Sequence, residues 1–304
     1  MATLKTAPIQ AIAPPAPVIF GVPRSGTTLT RLMLDSHPDL AIPSETGFLT
    51  QCGNWAADES MNPETFVEML SHFPPEAPGW GDFDVRREDL LEAVRALPAF
   101  HPIGGVRCFF QCYARRFGKT RWGEKTPDNL HHLVDIHRAF PEVRFLHVVR
   151  DPRDVVLSWR ATWFAPSKDL AVLAAEWERR ITIARLQMAQ VPHALEIRYE
   201  DLVEQPEVTL RRVCKFLELE FHPLMLQHHT RSAERLKEHR DRRGKDGNLI
   251  ASHEVRLQQQ RLTMQPPDKT RVAAWRNAMT AEERLAVEGA VGPLLEELGY
   301  SPRL

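Results

Sequence analysis

Eight consecutive residues, Gly21-Val22-Pro23-Arg24-Ser25-Gly26-Thr27-Thr28, gather one guanidinium, three hydroxyls and two glycines. The glycine spacing is that of a phosphate loop, with Thr27 where the lysine of nucleoside triphosphatases stands. Consecutive backbone N–H groups at a helix start can cradle an anion, and a glycine at position 26 lets the backbone approach it closely. Arg24, Ser25, Thr27 and Thr28 add donors to that cradle. The missing lysine weakens a triphosphate reading, because that lysine normally holds the terminal phosphates. No apolar strand ending in a clear magnesium-binding Asp is evident either.

An anion loop of this kind needs a strand before it and a helix after it. Residues 17–21 (PVIFG) form a short β-branched and aromatic run bounded by Pro and a Gly/Ser/Thr turn, which predicts a buried strand. Leu29, Leu32, Met33 and Leu34 then recur at helical spacing. Residues 143–149 (VRFLHVV) predict a second buried strand, 154–163 a helix, and 194–198 a third strand. Helices are also expected over 129–140, 206–217 and 281–298, the last as one amphipathic helix closing the fold. Strands alternating with helices imply an α/β fold, a P-loop-type parallel sheet flanked by helices. Residues 47–120 differ in character, with helical stretches at 63–73 and 88–97 separated by Pro- and Gly-rich breaks. They are expected to be a helical insertion covering the sheet, in a single domain over 15–304 that follows a flexible Ala/Pro tail at 1–14.

Three strings carry a resemblance to a known family. PVIFGVPRSGTTLTRLMLDSHP (17–38) resembles the 5′-phosphosulfate-binding segment of sulfotransferases that use 3′-phosphoadenosine 5′-phosphosulfate (PAPS). It is nearest to the bacterial branch that also resembles tyrosylprotein sulfotransferases. FLHVVRDPRDVVLSW (145–159) resembles the same family's 3′-phosphate segment, in which Arg150 and Ser158 take the positions of its paired Arg and Ser. YEDLVEQP (199–206) continues the likeness, with Tyr199 where the family has a Tyr near the adenine. The resemblance implies sulfuryl transfer from PAPS to an acceptor hydroxyl, with no metal. It places the general base at Glu45 in PSET and the catalytic lysine at Lys125 in WGEKTPDN, with Arg24 serving both the loop and the transfer step. The chemistry is coherent, since a donor with a 5′ phosphosulfate and a 3′ phosphate needs two anion sites. Arg24 with its loop would supply the first, Arg150 with Ser158 the second.

Plainer readings stand beside these. Arg153 competes with Arg150 for the second site, or pairs with Asp151 or Asp154. Glu45 could belong with Ser44 to the N-terminal cap of the next helix. Lys125 could pair with Glu124 or Asp128. Where the family's C-terminal Lys precedes a Pro, this chain has Gln265, and Ser252 or Lys269 could take part of that role. Thr46 is followed by Gly47, where tyrosylprotein sulfotransferases carry an Arg that recognises acidic peptide flanks. A P-loop kinase and a nucleotide-binding module without catalysis are the alternative functions.

Lys plus Arg (39) balances Asp plus Glu (40), so no global field argues for nucleic acid or an anionic membrane. No eighteen apolar residues run together, so no membrane span is expected. Cys52, Cys108, Cys112 and Cys214 read as reduced thiols, and the chain is expected in the cytoplasm. The adjacent pairs His131-His132 and His228-His229 read as polar surface residues rather than metal ligands. The basic run 231–245 reads as a solvated, mobile face or as a flap over the nucleotide or an anionic acceptor. The insertion is expected to bind the acceptor, and its aromatics, among them Trp55, Phe66, Trp80 and Phe109, are open to a core or a pocket role. The sequence leaves carbohydrate, lipid, phenolic metabolite and protein tyrosine all open as the acceptor.

Overall fold

The computed structural model describes residues 13–300 except Glu59; residues 1–12 of the expected tail lie outside the described residues. Eight strands are described: β1 (Ala16–Phe20), β2 (Leu40–Ala41), β3 (Arg121–Trp122), β4 (Glu124–Lys125), β5 (Val143–Val149), β6 (Ala194–Arg198), β7 (Arg242–Arg243) and β8 (Leu249–Ala251). The central sheet has the order β4-β1-β5-β6 and is parallel throughout. β2 pairs with β3 in parallel, and β7 with β8 as an antiparallel hairpin.

The sheet is buried on both faces, which is why its strands read as continuous apolar runs. In β5, Val143 and Phe145 join one core, whereas Leu146 and Val148 join another on the opposite face. The first core is closed by the helices of the 47–120 segment: α2 (Cys52–Ala56), α3 (Pro63–Ser71), α4 (Arg87–Arg95) and α5 (Pro102–Arg115). Phe48, Phe83 and Phe109 meet there edge to face, with ring centroids 4.9 to 5.8 Å apart. The second core lies under α1 (Thr27–Asp35), the helix that the anion loop opens.

Several expectations need correcting. Residues 129–140 are not one helix; a 3-10 turn (Pro127–His131) precedes α6 (Leu133–Ala139). α7 (Pro152–Arg160) is followed by the 19-residue α8 (Leu170–Met188), a helix additional to those expected. Its signal was present: Leu170, Leu173, Ala174, Trp177, Ile181 and Ala184 share one buried face, and Asp169 caps it. After β6 come α9 (Tyr199–Glu204), α10 (Pro206–Phe216), α11 (His229–Leu236), α12 (His253–Gln260) and α13 (Trp275–Ala278). The closing helix breaks into α14 (Ala281–Val291) and α15 (Leu294–Glu297) at Gly292, whose φ of 60° no helix interior accommodates.

The basic run folds as α11 and strand β7. Arg231, Lys237, Arg240, Arg243 and Lys245 are exposed, as expected of a solvated face, whereas Arg235 is buried against Asp35, with Nε to Oδ2 at 2.7 Å, and Arg242 is half-buried. His228 is buried as well, not a surface residue, and burial pushes its pKa down to about 4. All four cysteines are unpaired. Among the described residues no helix is long and apolar enough to cross a membrane.

Candidate active site

In a parallel sheet every strand delivers its following residue to the same edge, and ligands gather there. The register here does this closely. Val149 of β5 pairs with Arg198 of β6, so Arg150 and Tyr199 leave the sheet side by side. The Arg150 guanidinium lies 4.2 Å over the Tyr199 ring. Ile19 of β1 pairs with Lys125 of β4, which sets Lys125 beside the start of the anion loop.

The loop itself turns through Arg24, a non-glycine residue with φ 73°, and Gly26, with φ 96°. A Cβ on Gly26 would overlap the Tyr199 ring, so only glycine fits there. Backbone strain at Arg24 is of the kind that collects at binding sites. The Arg24 Nε donates to Ser158 Oγ at 3.1 Å, tying the loop to α7. The buried Ser25 hydroxyl and the Arg150 Nε have no partner among the described residues. Burial and the nearby Arg150 cation both depress the Arg24 pKa, so this corner favours an added negative charge.

Two cavities open on this edge. The first, of about 520 Å³, is lined by Arg24, Gly26, Thr27, Thr28, Arg150, Ser158 and Tyr199, with Arg261 and Arg271 from the C-terminal segment. The second, of about 370 Å³, is lined by Ser44, Glu45, Lys125, Arg31, His239, Arg242 and Arg256, with Trp163 and Phe164. Arg24, Thr27 and Thr28 line both, so the cavities meet at the loop.

Lys125 is buried and donates to the half-exposed Glu45 carboxylate and, at 3.4 Å, to Thr28 Oγ1. It does not pair with Asp128, which binds Arg180 at 2.7 Å. Burial lowers the Lys125 pKa, and Glu45 opposes that shift. Neither Ser44 nor Glu45 caps the following 3-10 turn (Phe48–Gln51), which starts at Gly47 with no side-chain cap. Beneath this pair lies Glu124, fully buried, which accepts from Thr46 at 3.1 Å, from Thr126 at 2.5 Å and from Asn129.

The structure thus gathers Arg24, Ser25, Gly26, Thr27, Thr28, Arg150, Ser158 and Tyr199 around or beside one cavity, and Glu45 and Lys125 in the next. Arg153 is not part of either. It donates to Asp151 and Glu288 at 2.8 Å each and stacks on Trp275 at 3.8 Å, which makes it a packing residue. Near Gln265, neither Ser252 nor Lys269 lines the first cavity; Ser252 caps α12, and Arg261 and Arg271 face the cavity instead. The aromatics of 47–120 lie in or against the core, and none of the described residues of that segment lines the second cavity. Its aromatic lining comes from Trp163 and Phe164, just after α7.

The sequence pattern of the sulfotransferase family matches residues 15–223. The chain is 27% identical over 299 residues to protein-tyrosine sulfotransferase A of Caenorhabditis elegans, covering 94% of this chain and 68% of that protein. It is 25% identical over 316 residues to the nodulation protein NoeE of Sinorhizobium fredii, covering 95% and 68%. In fold it is similar to the sulfotransferase domain of the Synechococcus PCC 7002 olefin synthase, with TM-score 0.60, 21% identity, and 97% and 98% of the two chains covered. The family pattern spans the anion loop, Lys125, Arg150 and Tyr199 alike, and this chain belongs to the sulfotransferase family, as a sulfate-transferring enzyme.

Proposed function

We propose that the enzyme transfers the sulfuryl group of PAPS to an acceptor hydroxyl, with the donor in the first cavity and the acceptor in the second. The observation that carries this reading is the meeting of the two cavities at Arg24, Thr27 and Thr28, with the Glu45–Lys125 pair at the junction. The loop N–H groups, Arg24 and the Ser25 hydroxyl would hold the 5′ phosphosulfate. Arg150, with its unpartnered Nε, and Ser158 would hold the 3′ phosphate. Tyr199 would lie against the adenine, and Arg261 and Arg271 would close the nucleotide side.

In the transfer step Glu45 takes the proton of the acceptor O–H bond as that oxygen bonds to sulfur. The bridging S–O bond breaks, its electron pair stays on the 5′ phosphate, and Lys125 with the loop N–H groups stabilises the charge that builds there. Protein cations thus supply the positive charge at both anion sites. Incubation with ³⁵S-labelled PAPS, EDTA and a panel of phenols, alcohols and sugars should yield a labelled acceptor. Label retained wholly on the donor, or transfer that stops with EDTA, would count against the reading.

A further inference from the structure

The second cavity has more positive charge in its walls than the sulfuryl donor needs. Besides Lys125, which Glu45 neutralises, it is lined by Arg31, Arg242 and Arg256. Arg242 and Arg256 converge on one carboxylate, buried Asp82, from opposite ends of the segment 242–256. Arg242 Nη2 lies 2.9 Å from Asp82 Oδ2, and Arg256 grips both oxygens at 2.6 and 2.8 Å. Arg31 is 1% exposed, approaches Glu238 only to 3.8 Å, and its Nη2 has no partner among the described residues. Glu238 is itself taken by Arg235 at 2.7 Å, and Arg235 by Asp35. With Arg24 left to the sulfuryl donor and Asp128 taken by Arg180, the rest of this wall and its backing brings five cations (Arg31, Lys119, Arg235, Arg242, Arg256) against three carboxylates (Asp35, Asp82, Glu238). Two positive charges are left over.

His239 registers that surplus from inside the same cavity. It is 8% exposed, and its Nδ1 has no partner among the described residues. Burial first, then Arg256, Arg31, Lys125 and Arg242, push its pKa down to about 2, so it stays neutral and offers a hydrogen bond rather than more charge. At about 370 Å³ the cavity suits a small molecule, with Trp163 and Phe164 supplying its apolar lining.

Building on the sulfuryl-transfer reading, we propose that the acceptor is a small hydroxylated molecule bearing an anionic group, and that Arg242 and Arg256 form the subsite for that anion. Asp82, 160 residues before Arg242 in the chain, sets the subsite by holding both guanidinia in place. The 47–120 segment thereby shapes the acceptor site without touching the acceptor.

The test uses the enzyme saturated with 3′-phosphoadenosine 5′-phosphate and two near-isosteric phenols, 4-hydroxyphenylacetate and 4-hydroxyphenylacetamide, titrated by calorimetry. The carboxylate should bind about 10-fold or more tightly than the amide, the gain of charge-assisted hydrogen bonds over neutral ones. Arg242→Gln and Arg256→Gln should each bring the ratio towards one, while nucleotide affinity, which also reports folding, stays at the wild-type value. A wild-type ratio near one, no saturable binding of the carboxylate, or a ratio that survives both substitutions overturns the subsite. So does preferential binding of a glutamate-flanked tyrosine peptide when the small acid does not bind. Failure of the nucleotide itself to bind would instead strike the sulfuryl-transfer reading, and the two failures are read from separate titrations.

Discussion

At the scale of single residues, the weight falls on Glu45 and Lys125. Among the described residues the carboxylate caps no helix and bonds only the lysine, so its loss should be felt in turnover rather than folding. Glu45→Gln should lower turnover by about 10²- to 10⁴-fold, the usual range for a lost general base. Affinity for 3′-phosphoadenosine 5′-phosphate should hardly move, because Glu45 does not line the first cavity, where the nucleotide is proposed to sit. Near-normal turnover in that variant would falsify the base assignment. Glu124, next to the lysine, yields a different prediction. Burial lifts its carboxyl from 4.5 to about 6, against the hydrogen bonds of Thr126, Asn129 and Thr46 and the Lys125 charge. A carboxyl raised on folding binds more protons in the folded state, so its stabilising contribution is full below pH 4.5 and lost as pH rises through 6. The stability of wild type relative to Glu124→Gln should therefore fall by about 2 kcal/mol between pH 4 and pH 7. A difference that stays constant in thermal melts across that range would show that folding does not raise the Glu124 pKa, and a difference that grows with pH would show that folding lowers it.

At the scale of elements, α1 and α11 are locked by one buried pair, and that lock seats the cationic wall of the second cavity. Burial pushes the Asp35 carboxyl up, but Arg235, Lys119 and Arg31 more than offset this and hold it below the ordinary carboxylate range. Asp35→Ala should cost about 3–5 kcal/mol, because Arg235, Lys119 and Arg31 would lose the carboxylate they surround, leaving Glu238 alone to face this buried positive charge. Replacing both Asp35 and Arg235 by Leu should recover much of that loss in denaturant melts; equal losses in the single and double variants would refute the pairing argument. This clamp also shows where sequence reading ends. The anion loop, Arg150 and Tyr199 were legible because each follows a strand within a few residues, and the parallel register then brings them together. Lys125 was legible only through its family-like string, since β4 is two residues long and has no periodicity to detect. Arg242 reads as part of a solvated run and Arg256 carries no signal at all, because Asp82, which orders them, lies 160 and 174 residues earlier and leaves no local trace. Arg261 and Arg271 escape too: they sit on 3-10 turns with no buried residue and no periodicity, and the Arg271 carbonyl is held by Arg150, 121 residues earlier.

At the scale of the whole molecule, the parallel sheet does one mechanical thing. It brings the carboxyl ends of β1, β4, β5 and β6 to a common edge, where Arg24, Arg150, the Glu45 carboxylate and Lys125 fall within two touching cavities. The first cavity is proposed to hold a nucleotide with phosphates at both its 5′ and 3′ positions. Calorimetry with 3′-phosphoadenosine 5′-phosphate and with AMP, on wild type and Arg150→Ala, decides whether it does. The bisphosphate should bind wild type about 10- to 100-fold more tightly than AMP, the worth of added charge-assisted bonds to one phosphate. Arg150→Ala should collapse that ratio towards one. Equal affinity for the two nucleotides in the wild-type enzyme would contradict the two-site account.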